Sequence, residues 1–185
     1  MEFCRLAEIK PFCFLDLDST QEYLSSILRS HHEGDIVFSK IQTKGKGREN
    51  RKWYSNESGL WFSLTLKPSS SEVLRKLPII AATDVKETLE LDYSLKGCEI
   101  KLPNDVLCKG KKIAGVLVDG EITGEHTLAY LGIGVNLNND PRQNLEIEKI
   151  STSYILETGL RINIEDFLLK FLQRFDRSYF ILNQL

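Results

Sequence analysis

Apolar residues along this chain recur at two spacings, alternating and helical, and each predicts an element. Phe12, Phe14, Leu15 and Leu17 within residues 11–18 predict a short strand. Ser19-Thr20 then offers N-cap hydroxyls for a helix carrying Tyr23, Leu24, Ile27 and Leu28, and Glu22 completes a capping-box pattern. Gly34 ends that segment, and His31-His32 at its C-terminal end suits the helix dipole rather than catalysis. Strands are predicted at 35–41 and 60–66, separated by a polar, glycine-containing loop over 42–59. A helix is predicted over roughly 72–92, interrupted by Pro78. Strands follow at Ile100-Lys101, stopped by Pro103, and at 106–108, 113–118 and 127–135. Lys109-Gly110 and Gly120 or Gly124 mark the turns between them. Ile164, Phe167, Leu168, Phe171, Leu172, Phe175 and Tyr179 step by three and four, which predicts a C-terminal amphipathic helix. Strands outnumber helices and often follow one another directly. The fold class is therefore α+β, with a mixed, mostly antiparallel sheet flanked by helices.

Composition adds bounds. The 185 residues, 42% hydrophobic and 27% charged, suit a single folded domain over 1–185 and argue against disorder. No apolar run approaches the ~20 residues of a membrane span, and the N-terminus lacks a signal-peptide core. Cys4, Cys13, Cys98 and Cys108 form no C-x-x-C pair, and His31, His32 and His126 supply no metal spacing. Four buried, reduced thiols in a cytosolic protein are expected.

The net charge of −2 excludes a globally basic nucleic-acid binder, but the distribution is uneven. Residues 40–53 hold six bases and one acid, and residues 101–112 hold four bases and one acid. Two basic islands on an otherwise acidic chain suggest a focused anion site.

Three segments carry candidate chemistry. In Gln42-Thr43-Lys44-Gly45-Lys46-Gly47-Arg48-Glu49-Asn50-Arg51-Lys52-Trp53, the glycines allow close backbone approach to a ligand, the arginines offer planar forks and Trp53 a stacking face. The alternative there is a solvated basic loop, and P-loop spacing is absent. Mutual repulsion of six cations predicts a loop that orders only around an anion. Lys101-Leu102-Pro103-Asn104-Asp105, followed by Lys112 to Asp119, reads as a positioned cation or as a turn with a surface lysine. Gly132-Ile133-Gly134-Val135-Asn136 reads as close ligand approach or tight sheet packing.

In this order and spacing, the segments resemble the biotin protein ligases. The family's Q-T-x-G-R-G-R-x-x-R-x-W loop matches Gln42 to Trp53, with Lys46 in place of the first arginine. Its K-W-P-N-D block matches Lys101 to Asp105, with Leu102 for Trp. Its K-x-x-G-I-L-x-E block matches Lys112 to Asp119, with Val116 and Asp119 as variants. Its G-I-G-x-N block matches Gly132 to Asn136, and its S-T-N matches Ser19-Thr20-Gln21.

The resemblance implies the class II synthetase-like catalytic domain of that family, without a winged helix before it or a β-barrel after it. It implies an ATP-dependent ligase that makes biotinyl-5′-adenylate and transfers biotin to a lysine of a biotin carboxyl carrier protein of acetyl-CoA carboxylase. Lys101 would bridge the carboxylate and α-phosphate, and Arg48, with Lys46, would fold over the adenylate. Ser19, Thr20, Gln42, Gly45, Gly115, Gly132 and Gly134 would form the biotin pocket. Arg51, Trp53, Asn104, Lys112 and Asn136 would hold the nucleotide. Mg²⁺ would arrive through phosphates and water, with no dedicated protein ligands. The same resemblance implies a cytoplasmic monomer or homodimer with no DNA or membrane partner. Two rivals are a lipoate ligase or octanoyl transferase of the same fold, whose R-R-x-S-G-G-G stretch is absent here, and a single-strand nucleic-acid binder using the 40–53 island.

Overall fold

Alternation along the strands decides the architecture. The computed structural model describes residues 12–27, 32–123 and 126–184. Seven strands, β1 (Phe12–Leu17), β2 (Ile36–Gln42), β3 (Leu60–Leu66), β4 (Cys98–Lys101), β5 (Asp105–Cys108), β6 (Lys111–Thr123) and β7 (His126–Val135), form one sheet in the order β1-β2-β3-β7-β6-β5-β4. The β1–β2 pair is parallel and the other pairs are antiparallel, as the α+β reading expects. Four helices accompany the sheet among the described residues: α1 (Thr20–Glu22), α2 (Ser71–Glu87), α3 (Tyr154–Thr158) and α4 (Ile164–Asn183). Both α1 and α2 run on into π-helical turns, Tyr23–Ile27 and Thr88–Asp92.

One face of the sheet is apolar. Phe62, Leu64 and Leu66 of β3, Leu131, Ile133 and Val135 of β7, and Ala114 and Val116 of β6 share a buried cluster with Leu77, Ala81 and Val85 of α2. Helix α4 adds Phe167, Phe171, Phe175 and Tyr179 at four-residue steps, and the Phe171–Phe175 and Phe175–Tyr179 rings stack at 5.6 and 5.8 Å. Complete burial of one such side chain is worth about 1.5–3 kcal/mol, so this face holds the fold together. The other face carries the alternate residues, and there the pairs Gly115↔Gly134 and Ser63↔Gly132 put small or polar positions side by side. Missing side chains across adjacent strands leave a concavity.

Caps follow the sequence. Ser19 Oγ accepts from Glu22 N at 3.3 Å, Ser70 Oγ from Val73 N at 3.2 Å, and Asn163 Oδ1 from Asp166 N at 3.0 Å.

Several expectations are corrected. Pro78 does not interrupt α2, because the flanking Leu77, Ala81 and Ala82 are fully buried and hold the helix on the sheet despite one missing N–H. Gly120 is no turn: it lies within β6 opposite Ala129, where an added Cβ would stand 2.8 Å from Leu74 Cδ2 of α2. Of the cysteines, Cys108 is buried and Cys98 half-buried, but Cys13 is exposed, because β1 is an edge strand. Phe12 and Leu15 are exposed on the same strand for the same reason. Leu28, His31, Cys4 and Gly124 lie outside the described residues.

Candidate active site

A cavity of about 650 Å³ occupies the concave face, lined by β3, β5, β6, β7, the 42–54 loop and the 147–151 segment. Every residue that the resemblance assigns to the site lines it except Gly45. Gly45 instead meets its own loop, where an added Cβ would stand 2.3 Å from Trp53 O. Its carbonyl accepts from Trp53 N at 2.9 Å, Gly47 N donates to Arg51 O at 2.7 Å, and Lys46 bridges Lys52. The glycines thus let the loop close on itself as a small hairpin. Its charge is offset locally as well. Lys44 pairs with Asp18 at 2.7 Å, Lys46 with Glu22 at 3.3 Å and Arg51 with Glu49 at 2.6 Å, so the six bases do not simply repel one another. The hydrogen bond from Lys44 holds the Asp18 carboxyl below its ordinary range.

One end of the cavity is neutral and hydrogen-bonded. Gln42 Oε1 accepts from Thr20 N at 2.8 Å while its Nε2 donates to Ser55 Oγ at 2.7 Å. Thr20 Oγ1 meets Ser63 Oγ at 2.9 Å, and Ser63 Oγ donates to Gln21 Oε1 at 3.0 Å. Gln21 Nε2 donates to Tyr130 O at 2.8 Å and to Asp119 Oδ2 at 3.2 Å. Gly132 makes room for this, since a Cβ there would stand 2.4 Å from Gln21 Oε1. Ser19 lines the same end, with its hydroxyl engaged as the α1 cap.

The other end is cationic. Lys46, Arg48, Arg51, Lys52, Lys101, Lys112 and Lys149 line the cavity against one carboxylate, Asp105. Lys112 Nζ lies 2.7 Å from Asp105 Oδ1 and 4.9 Å from the Trp53 ring centroid. Trp53 itself rests on Gly134, where a Cβ would come within 2.4 Å of its Nε1, and meets Trp61 edge-on at 6.2 Å. Arg48 Nη1 donates to Asn104 Oδ1 at 3.1 Å, and Asn104 Nδ2 donates to Val116 O at 2.6 Å. Asn104 therefore ties the loop to the sheet. Asn136 is buried, giving Nδ2 to Thr152 O at 3.0 Å and accepting from Asn139 Nδ2 at 2.9 Å, so its amide organises the 136–152 wall. Lys101, directly opposite Asp105 in the β4–β5 register, is exposed on the rim.

Residues 13–136 match the biotin/lipoate A/B protein ligase family. The chain belongs to that family. The bifunctional ligase/repressor BirA of Bacillus subtilis is 32% identical over 170 residues, covering 88% of this chain and 51% of that protein. The biotin–[acetyl-CoA-carboxylase] ligase of Paracoccus denitrificans is 32% identical over 138 residues, covering 71% and 57%. The chain spans about half the length of the curated relatives it matches. Among solved structures, the biotin protein ligase of Aquifex aeolicus in complex with biotin and ATP superposes with a TM-score of 0.82 at 33% identity, covering 95% of this chain and 72% of that one. The mixed sheet flanked by helices is thus the fold of the biotin/lipoate ligase catalytic domain.

Within this family fold, several side chains at the site escape sequence reasoning. Ser63 completes the hydrogen-bonded cluster, and its signal was the polar positions alternating at 63 and 65 within 60–66. Lys149, and Tyr54, whose hydroxyl donates to the Glu146 carboxylate, belong to segments with no periodicity to read. That hydrogen bond raises the Tyr54 pKa. A second cavity of about 550 Å³, between β2 and α4, is lined mainly by apolar residues such as Ile36, Phe38, Leu168 and Leu172.

Proposed function

We propose that the chain activates biotin with ATP to biotinyl-5′-adenylate, releasing pyrophosphate, and then transfers biotin to a lysine of a biotin carboxyl carrier protein such as that of acetyl-CoA carboxylase. The observation that carries this reading is that one cavity is lined both by the hydrogen-bonded Thr20, Gln21 and Gln42 and by seven cations. A ureido ring needs both donors and acceptors, and Thr20, Gln42 and Gln21 offer both. Lipoate's dithiolane ring has no N–H or C=O, so it could exchange no comparable hydrogen bond with that cluster. Attack of a carboxylate on the α-phosphorus brings two anions together, and the cations lining the cavity offset their repulsion. Mg²⁺ would be held by phosphates and water, because Asp105, the one carboxylate at the cavity, already faces Lys112.

Within that reading, Lys112 is the embedded cation, Lys101 approaches from the rim and Arg48 covers the site through its bond to Asn104. No helix among the described residues is long and apolar enough to cross a membrane, and the reading needs none. The test is pyrophosphate release with ATP and biotin against ATP and lipoate, followed by biotin incorporation into a carrier domain. Release with lipoate alone would transfer the reading to the other branch of the family.

A further inference from the structure

Two cysteines away from the cavity face each other across one hairpin. Cys98 of β4 and Cys108 of β5 are directly opposite in the register. The hydrogen bonds around them settle the kind of pair. Lys109 N donates to Gly97 O at 3.1 Å, so the adjoining pair, 97 with 109, is the hydrogen-bonded one. Cys98 N turns away from β5 and donates to Glu90 Oε1 at 3.3 Å. Cys98 and Cys108 therefore form a non-hydrogen-bonded pair, in which Cα atoms approach to about 4.5 Å and side chains come closest. Disulfides accept Cα separations of about 4.4–6.8 Å, so this pair can be bridged without moving the strands apart. Both side chains join the apolar face, Cys108 buried and Cys98 half-buried, and each thiol lies near enough to shift the other's ionisation. The Cys108 thiol also reaches Lys96 O at 3.7 Å, a weak bond that is readily given up.

We propose that Cys98 and Cys108 are a modification site, at which a peroxide closes a cross-strand disulfide that staples β4 to β5. The peroxide first oxidises one thiol to a sulfenic acid and is itself reduced to water. The second thiol then attacks that sulfur: the S–S bond forms, the S–O bond breaks, and the hydroxyl leaves with the second thiol's proton as another water. The two thiols give up two electrons and two protons, and the peroxide takes up both. Burial pushes the Cys98 thiol up to about 12 and raises that of Cys108 as well. Few thiolates form, so the pair resists mild oxidants, and the closed bond resists reduction because such thiols are poor leaving groups. The staple sits at one end of the hairpin whose other end holds Lys101 opposite Asp105. The proposal stands whichever acid the chain activates.

The experiment treats the full chain with hydrogen peroxide, blocks remaining thiols with a maleimide, and maps tryptic peptides without reductant. Cleavage after Lys96, Lys101 and Lys109 separates 97–101 from 102–109, so each cysteine lies on its own peptide. The expected product is these two peptides joined, lighter by two hydrogens than their sum, and released by dithiothreitol. The unfolding midpoint should rise by about 5 °C on oxidation and fall back on reduction. Cys98→Ser should abolish that rise, whereas Cys13→Ser, at the exposed edge, should keep it. Separate recovery of the two peptides, as maleimide adducts or sulfinic acids, at a peroxide dose that has oxidised Cys13 overturns the proposal. So does a midpoint rise that survives in Cys98→Ser.

Discussion

Lys112 and Asp105 form a half-buried ion pair, Nζ to Oδ1 at 2.7 Å, on the floor of the cavity, with the ammonium over the face of Trp53. Gly115 makes the arrangement possible. Its position faces the same space, and a Cβ there would stand 3.0 Å from both Lys112 Cε and the Trp53 ring. The ammonium is held by a carboxylate on one side and a ring on the other, so it is positioned before any substrate arrives.

A pre-positioned charge acts most strongly on a developing negative charge. Lys112→Met is therefore expected to lower the rate of pyrophosphate release by about two to three orders of magnitude. Lys101→Met, on the exposed rim, should cost less, about tenfold. Asp105→Asn keeps the side chain's shape but removes its charge, so it should fall between the two. Single-turnover adenylation at matched thermal stability measures all three. A Lys101 variant slower than the Lys112 variant would reverse the assignment.

Gly134→Ala tests the seat of Trp53. The added methyl would lie 2.4 Å from the indole Nε1, so the ring must move off the sheet. Overpacking of this kind costs about 1–3 kcal/mol. The expected result is a lower unfolding midpoint together with shifted tryptophan fluorescence and weakened nucleotide binding. Unchanged fluorescence would mean that the ring has another resting place.

The mixed sheet and the lining of its cavity were both legible in the sequence. Glycine, lysine and asparagine motifs are local, and nearly all of them line one cavity. What the motifs do locally was less legible. Gly45 and Gly47 close their own hairpin, and Asn104 and Asn136 bind the backbone, because each partner lies on a strand or wall remote in sequence. Gly120 looked like a turn because a glycine that admits Leu74 of a packed helix has the same letter as one that bends the chain. Lys149 left no trace, since it comes from a segment whose shape is set by backbone hydrogen bonds such as Ile150 N to Ile147 O rather than by side-chain periodicity.

Away from the cavity, Asp84 sets a pH dependence of stability. It is buried between α2 and α4, Ser178 Oγ donates to its Oδ1 at 3.0 Å, and its Oδ2 has no partner. Burial raises its pKa from 3.8 to about 7, against the opposing pulls of Ser178 and Arg174 and with the help of Glu87. The native state thus holds this proton more tightly than the unfolded chain does. The stability it confers is complete below the unfolded pKa and is lost as pH rises through the folded one. The loss amounts to about 3–4 kcal/mol between roughly pH 4 and pH 7.5. Asp84→Asn should flatten that fall while keeping the bond to Ser178. Urea midpoints of both proteins at pH 5 and pH 8 give the comparison, and parallel shifts would exclude Asp84 as the source.

Arg48 separates making the adenylate from keeping it. The side chain sits on a loop hairpin and reaches the sheet through one hydrogen bond, to Asn104, which is itself fastened to Val116 O at 2.6 Å. A group held by a lid is aimed less tightly than Lys112 on its strand, and lids serve to sequester reactive intermediates. Arg48→Gly should therefore leave pyrophosphate release within about fivefold of the parent while the adenylate escapes. Asn104→Asp makes the contrast sharper, since it keeps an acceptor for Arg48 but loses the donor to Val116, so it should loosen the loop without removing the guanidinium. The measurement is adenylate free in solution, together with biotin appearing on the lysines of a bystander protein. An Arg48 variant that neither releases pyrophosphate nor leaks adenylate would place the guanidinium with Lys112 in the chemical step.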